Sequence, residues 1–156
     1  MKTELILIGK TTDAHLAAGI DEYLRRIKHY APFELTIIPD LKNTRSLSEN
    51  QQKKLEGELI LNRLNTSDTV VLLDEHGTEH RSVEFAKWLI QKQHAAKRLV
   101  FIIGGPYGFS EEVRRRANEK ISLSKMTFSH QLVRLIFMEQ LYRANTIIKN
   151  EPYHHE

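Results

Sequence analysis

Four short apolar runs, at residues 3–8, 33–38, 69–73 and 99–103, alternate with longer segments whose apolar residues recur at helical spacing. No other feature constrains the fold as tightly. Runs of aliphatic and β-branched residues with almost no charge read as strands covered on both faces, and strands separated by helix-length segments pair in parallel. The first run closes at Gly9, and the second is bracketed by Pro32 and Pro39, which interrupt regular structure. A fifth strand is expected at 120–123. The expected architecture is α/β: a mostly parallel sheet with helices on both faces. At 156 residues the chain fits one domain, 1–156, with no linker or repeat.

The intervening segments carry helix start signals. Asp13 stands before Leu16, Ile20, Leu24 and Ile27, which fall on one helical stripe,. Ser48 with Gln51, or Ser46 with Glu49, offers a capping box for a helix burying Leu55, Leu59 and Leu64,. Residues 40–47 read as a loop. Asp74–Gly77 reads as a turn ending the third strand, and Ser82 as the cap of a helix with Val83, Ala86, Leu89 and Ile90 inward,. Ser110 caps a short helix with Glu111 and Glu112 in its first turn,.

The last helix, expected over about 129–149, is apolar on nearly every side: Leu132, Val133, Leu135, Ile136, Phe137 and Met138 leave little polar face. A helix covering one face of a sheet needs one apolar stripe. The surplus stripe points to a symmetric homodimer, or else to a helix enclosed within its own domain.

Charge and residue inventory narrow the chemistry. The net charge is +3, and residues 101–156 hold eight Lys and Arg against six Asp and Glu. That balance permits an RNA partner chosen by shape and a few placed contacts, without the dense basic face of a protein that binds by counterion release. There is no cysteine, which excludes disulfides, thiolate metal sites and cysteine nucleophiles. His154 and His155 are adjacent without a supporting carboxylate pattern, so no metal site is expected. No stretch reaches the length of a membrane span, and the run at 5–8 is too short for a secretory signal; a cytoplasmic protein with no membrane partner is expected.

Ligands of open α/β sheets bind beyond the carboxyl ends of the strands. That rule singles out three turns: Asp74–Gly77, Gly104–Gly108 and Ser122–Phe128. Gly104 and Gly105, directly after a buried strand, let a ligand approach the backbone. The phosphate-binding G-x-x-x-x-G-K-[ST] and G-x-G-x-x-G patterns are absent,. Ser124, Ser129 and His130 lack the G-x-S-x-G elbow of a hydrolase,. In Arg114-Arg115-Arg116 the acids four residues upstream serve Arg115 and Arg116, leaving Arg114 for a phosphate.

Three stretches in order, residues 102–110 (IIGGPYGFS), 122–134 (SLSKMTFSHQLVR) and 139–143 (EQLYR) running on to Pro152-Tyr153-His154, resemble the SPOUT-class ribosomal RNA large-subunit methyltransferase H family along the whole chain. The resemblance implies a C-terminal trefoil knot, S-adenosylmethionine as methyl donor, an obligate homodimer, and methylation at N3 of a pseudouridine in large-subunit ribosomal RNA on the ribosome. By motif position Leu73, Gly104, Leu123, Ser124, Lys125, Met126, Thr127 and Phe128 line the donor pocket, largely through backbone groups. Where the family commonly has proline, Ser129 stands before His130 and can cap the last helix.

Such a transfer is an in-line displacement that needs alignment more than a metal or a covalent intermediate. The imide nitrogen must lose its proton, for which His154, His130 or solvent are the acceptors. Tyr153 is placed to stack on the target base. Arg134 and Arg143 could bind phosphate or orient the tail, and Arg143 could instead pair with Glu139. The competing reading is a non-catalytic RNA-binding or ribosome-assembly module on the same fold.

Overall fold

The computed structural model describes residues 2–155. Strand β1 (Lys2–Ile8) is followed by α1 (Ala14–Lys28), β2 (Phe33–Ile38), α2 (Glu49–Leu61), β3 (Thr69–Glu79), α3 (Ser82–Ala95), β4 (Arg98–Ile103), α4 (Glu111–Arg116), β5 (Glu119–Ser122) and α5 (Leu132–Ile148). The five strands form one sheet in the order β2-β1-β4-β3-β5, and every pairing is parallel.

Strand periodicity splits the core in two. Leu5, Leu7, Val71, Leu99 and Phe101 face α1, α3 and α5. The residues between them, Ile6, Ile8, Val70, Leu72, Val100 and Ile102, face α2 and α4. This alternation of faces with sequence is why the runs show no polar side: both faces are dry. Helix α5 lies between α1 and α3 and packs on both. Its Phe137, Met138, Leu141 and Ala144 are buried against the sheet. Leu135 fills the space opposite Gly19 of α1. Part of the surplus stripe is therefore consumed inside the chain, while Leu132 stays 38% exposed and Ile136 half-buried.

Local signals acted where expected at three caps. The Asp13 carboxylate accepts from the His15 and Leu16 N–H groups at 2.8 and 3.0 Å. Ser48 and Gln51 make a reciprocal capping box, which settles the choice against Ser46 with Glu49. Ser110 Oγ accepts from the Val113 N–H at 3.3 Å. The loop at 40–47 includes a single 3-10 turn, Thr44–Ser46.

Elsewhere tertiary contacts overrode the local reading. Ser82 is the first residue of α3 rather than its cap; Arg81 holds the cap position, its N–H donating to Glu84 at 2.8 Å. The Ser82 hydroxyl is used on Gln140 of α5, at 3.0 Å. Asp74–Gly77 does not end β3. Leu73 and Thr78 both pair with Ile121, so the segment between them loops out and the strand resumes. Gly77 makes this possible, because a Cβ there would lie 2.6 Å from the Ile121 backbone. Of the leucines expected inward, Leu59 and Leu64 do pack against the core, but α2 is turned so that Glu56, Gly57 and Ile60 are buried, whereas Leu55 is 38% exposed. The cause is Gly57, whose missing Cβ leaves room for the Ser110 side chain and draws α2 onto α4. Regular α5 begins at Leu132, but Ser129 Oγ accepts from the Leu132 N–H at 3.1 Å and its carbonyl from Val133 at 3.0 Å, so Ser129 does cap the approach.

Candidate functional site

A cavity of about 430 Å³ opens beyond the carboxyl ends of β3, β4 and β5. The three turns that strand topology singled out build its walls. Leu73, Asp74, Glu75 and His76 come from β3; Ile103 to Phe109 come from the turn after β4; Ser122 to Ser124 and Met126 to Phe128 follow β5. His130 and Val133, at the entrance to α5, complete it.

Each turn is fixed by its own sequence. After β4 the chain doubles back, the Gly108 N–H donating to the Gly105 carbonyl at 3.1 Å, with Gly108 at φ +82°, a conformation that favours glycine. A Cβ on Gly104 would meet the Phe109 ring at 3.1 Å. After β5, Ser122 Oγ donates to the Ser124 carbonyl at 2.8 Å, and Ser124 Oγ accepts from the Met126 N–H at 2.9 Å. Short hydroxyl side chains here replace the ladder bonds that the departing strand gives up. Thr127 Oγ1 donates to Glu75 at 3.2 Å and ties this turn to the β3 excursion.

Asp74 and Arg114 form the principal charge pair at the rim, 2.6 Å apart. Burial pushes the Asp74 carboxyl up, but the His76 N–H and the Arg114 guanidinium outweigh it and hold the group below the usual carboxylate range,. Arg114, expected to be available for a phosphate, is therefore engaged. The sequence reading marked the turns that hold Asp74, Glu75, His76 and Tyr107 through the strand-end rule, but gave these side chains no role; Arg114 reaches the cavity from α4, where no strand-end signal marks it.

Of the residues expected at the donor pocket, Leu73, Gly104, Leu123, Ser124, Met126, Thr127 and Phe128 line this cavity. Lys125 does not; its ammonium is 3.9 Å from Glu79 and faces solvent. Of the five expected to act on the RNA base, His130 alone is at the cavity. Arg134 is fully buried. It donates to the carbonyls of Ile8 at 2.6 Å and Gly9 at 2.9 Å, and to Thr11 Oγ1 at 3.1 Å, so it has no surface to offer a phosphate.

Arg143, Tyr153 and His154 assemble elsewhere, on the outer end of α5. Arg143 pairs with Glu139 at 3.2 Å, lies 4.7 Å from the Tyr153 ring centroid, and places Nη1 3.0 Å from His154 Nδ1. Of the readings offered for Arg143, the pairing with Glu139 is present, and the same guanidinium also touches the tail residues Tyr153 and His154. Tyr153 meets Tyr142 edge-on at 4.8 Å, and burial, followed by a hydrogen bond with Tyr23, pushes its phenol up to about 12. Tyr30 donates to Glu151 at 2.6 Å. Ten residues of helix separate Val133 from Arg143, which is about 15 Å along the axis. Pocket and tail cluster do not meet within one chain.

A family model described as "Predicted SPOUT methyltransferase" matches residues 1–154, and the chain belongs to the SPOUT methyltransferase family. Relatives matched over their full length bear the name Ribosomal RNA large subunit methyltransferase H. The one from Phocaeicola vulgatus is 60% identical over 157 residues, with 100% of each chain covered. The one from Bacteroides fragilis is 59% identical with the same coverage, and that from Flavobacterium johnsoniae is 55% identical, again over the full length of both. Among the described residues there is no grouping of side chains that could hold a metal ion, and no helix is long and apolar enough to cross a membrane.

Proposed function

We propose that this chain transfers the methyl group of S-adenosylmethionine to N3 of a pseudouridine in the large-subunit ribosomal RNA of assembled ribosomes. It acts in the cytoplasm as a homodimer of single-domain subunits, with the family's knot formed by the C-terminal part that carries the 122–128 turn and α5. The observation that carries this reading is the cavity itself, built from three strand-end turns and lined by seven of the eight residues that the family motifs assign to the donor.

The cavity suits the donor on physical grounds. Its volume falls in the range of small-molecule sites, roughly 300–1,000 Å³. Gly104 and the 123–128 turn line it, and Glu75 stands on its wall beside the Asp74–Arg114 pair. Leu73, Gly104, Leu123, Ser124, Met126, Thr127 and Phe128 would hold the donor, while Lys125 stays outside. The donor supplies an electrophilic methyl group on a sulfonium. The protein's task is to align the nucleophilic nitrogen and manage its proton.

Because the tail lies far from its own pocket, a second copy must bring the two together. A two-fold axis crossing α5 near its middle would set Arg143 of one copy beside Val133 of the other. The exposed Leu132 and half-buried Ile136 lie on the stripe that such pairing would cover. Arg143 possesses only donors, so His154 Nδ1 accepts and the neutral ring carries its proton on Nε2. Nε2 is buried within the single chain, so the tail must shift against the partner copy before that N–H can donate to a carbonyl oxygen of the imide and stabilise the charge that develops when N3 is deprotonated. The proton itself then passes to His130, at the cavity, or to solvent.

The test is to incubate the protein with ribosomes lacking the modification and with methyl-labelled S-adenosylmethionine. Label at N3 of one large-subunit pseudouridine is expected. Label on another base or on protein would overturn the substrate assignment. A flat calorimetric titration with the donor would favour a non-catalytic RNA-binding module.

A further inference from the structure

Glu56 is a buried carboxyl that the chemistry above does not use. It lies in the middle of α2 and is 4% exposed. Its Oε2 accepts from the Gln52 amide at 3.2 Å, and among the described residues Oε1 has no hydrogen-bond partner. The groups that face it are few. Helix α2 presents neutral Gln52; the segment after β2 presents Asp40, a like charge. The turn after β4 presents the bare backbone of Gly105, and α4 presents uncharged Ser110 and Val113 to the neighbouring Gly57. Burial pushes the carboxyl up and Asp40 adds to it, with the Gln52 hydrogen bond opposing,.

The position of this carboxyl is specific. It occupies the space that a Cβ on Gly105 would take, with Oε1 at 2.8 Å and Oε2 at 3.1 Å from that point. Gly105 forms the wall of the large cavity on its other side. Successive residues of α2 thus engage both ends of one turn: Glu56 at Gly105, Gly57 at Ser110. With no cation acting on it among the described residues, the neutral acid is the form that such a site favours.

We propose that Glu56 is a positioning residue for the donor site: its carboxyl braces the Gly104–Gly105 turn from behind and holds the wall on which the donor rests. Loss of the proton sets an uncompensated charge against the Gly105 backbone, and the turn must shift or admit water to relieve it. The donor site therefore weakens as pH rises, through a group that never touches the donor. This inference rests on the reading of the cavity as the donor pocket.

The test compares the wild type with Glu56→Gln, which keeps the shape without titrating, and Glu56→Ala. S-adenosylmethionine is titrated calorimetrically from about pH 5 to about pH 9. Wild-type affinity is expected to fall with pH, approaching about tenfold per unit above the folded ionisation of Glu56. Glu56→Gln should stay tight and flat, and Glu56→Ala should be weak throughout. The same pH profile in the wild type and Glu56→Gln, or equal weakness in Glu56→Gln and Glu56→Ala, would overturn the proposal. A second readout needs no donor: amide exchange at Gly105, Tyr107 and Gly108 in the free protein should accelerate with pH more in the wild type than in Glu56→Gln. If no form binds donor yet that difference persists, the donor reading fails and the brace stands. Identical exchange in the two proteins removes the brace.

Discussion

Arg134 of α5 donates to the Ile8 carbonyl of β1 at 2.6 Å, joining residues 126 positions apart in the chain. The guanidinium is fully buried, and among the described residues no carboxylate is hydrogen-bonded to it. Burial pulls its ionisation below the ordinary value for arginine, with Asp40 opposing. The same junction is closed from α5 by Gln131, whose side chain accepts from the Thr12 N–H at 2.7 Å and donates to the Lys10 carbonyl at 3.3 Å. The helix that follows the pocket turn is thereby fastened to the end of the central strand. Replacing Arg134 by Met leaves three acceptors without a donor and should lower the unfolding free energy by about 3 kcal/mol, as measured by denaturant titration. An unchanged midpoint would show that the fastening contributes nothing.

At Gly77 the β3 excursion touches the β5 backbone so closely that no side chain fits. Gly77→Ala must separate the strands at Ile121. We expect a loss of about 2 kcal/mol and a weakened pocket, because Asp74, Glu75 and His76 lie in the displaced segment. Thermal unfolding and donor titration of the same variant read the two effects.

Asp74 ties stability to acidity. Its folded ionisation lies below the unfolded value because the His76 N–H and Arg114 outweigh burial. A group depressed in this way contributes stability that is complete above the unfolded value, about 3.9, and is lost as pH falls through the folded one. Asp74→Asn should be less stable than the wild type at neutral pH, and the gap should close in acid. Denaturation curves at pH 7 and in strong acid test the sign. A gap that widens in acid would mean that the carboxyl is held neutral instead.

The tail cluster predicts a separation of binding from chemistry. His154→Ala should reduce methylation by about 100-fold while donor affinity stays at the wild-type value, since the cluster and the cavity share no residue. Arg143→Met should act in the same direction by releasing both His154 and Tyr153. Loss of donor binding in His154→Ala would place the tail in the donor pocket.

The exposed edge of α5 makes a prediction about assembly. Leu132→Glu combined with Ile136→Glu should convert a dimer to a monomer in sedimentation, with methylation lost. Mixing that is set to favour heterodimers of His154→Ala with Gly104→Val should restore part of the activity, because one intact pocket then meets one intact tail. Absence of any restoration would argue that tail and pocket belong to the same chain.

Much of the fold was legible because its signals are local. The caps at Asp13, Ser48 and Ser110 work through hydrogen bonds to amides two or three residues away, and such bonds form without reference to the rest of the chain. The two-sided apolar strands follow from the same residues that bury them. Within helix α2, Leu55 was misread for the opposite reason. Leucine spacing placed Leu55 inward, but Gly57 against Ser110 and Glu56 against Gly105 set the rotation of the helix. The fit of a glycine to a distant side chain leaves no periodic trace. Ser82 likewise carries a cap signature and spends its hydroxyl on Gln140, 58 residues away.

The sequence by itself determined the strands, their parallel pairing, and the turns where a ligand can sit, since strand ends and glycines are properties of short stretches. Its motifs also determined the family. Tertiary structure decided which side chains those turns share. It buried Arg134 as a fastening, committed Arg114 to Asp74, and set Arg143, Tyr153 and His154 a helix length from the cavity. The physical reason is that a side chain's role depends on what faces it across the sheet or along α5. That neighbour is fixed by packing between elements far apart in the chain.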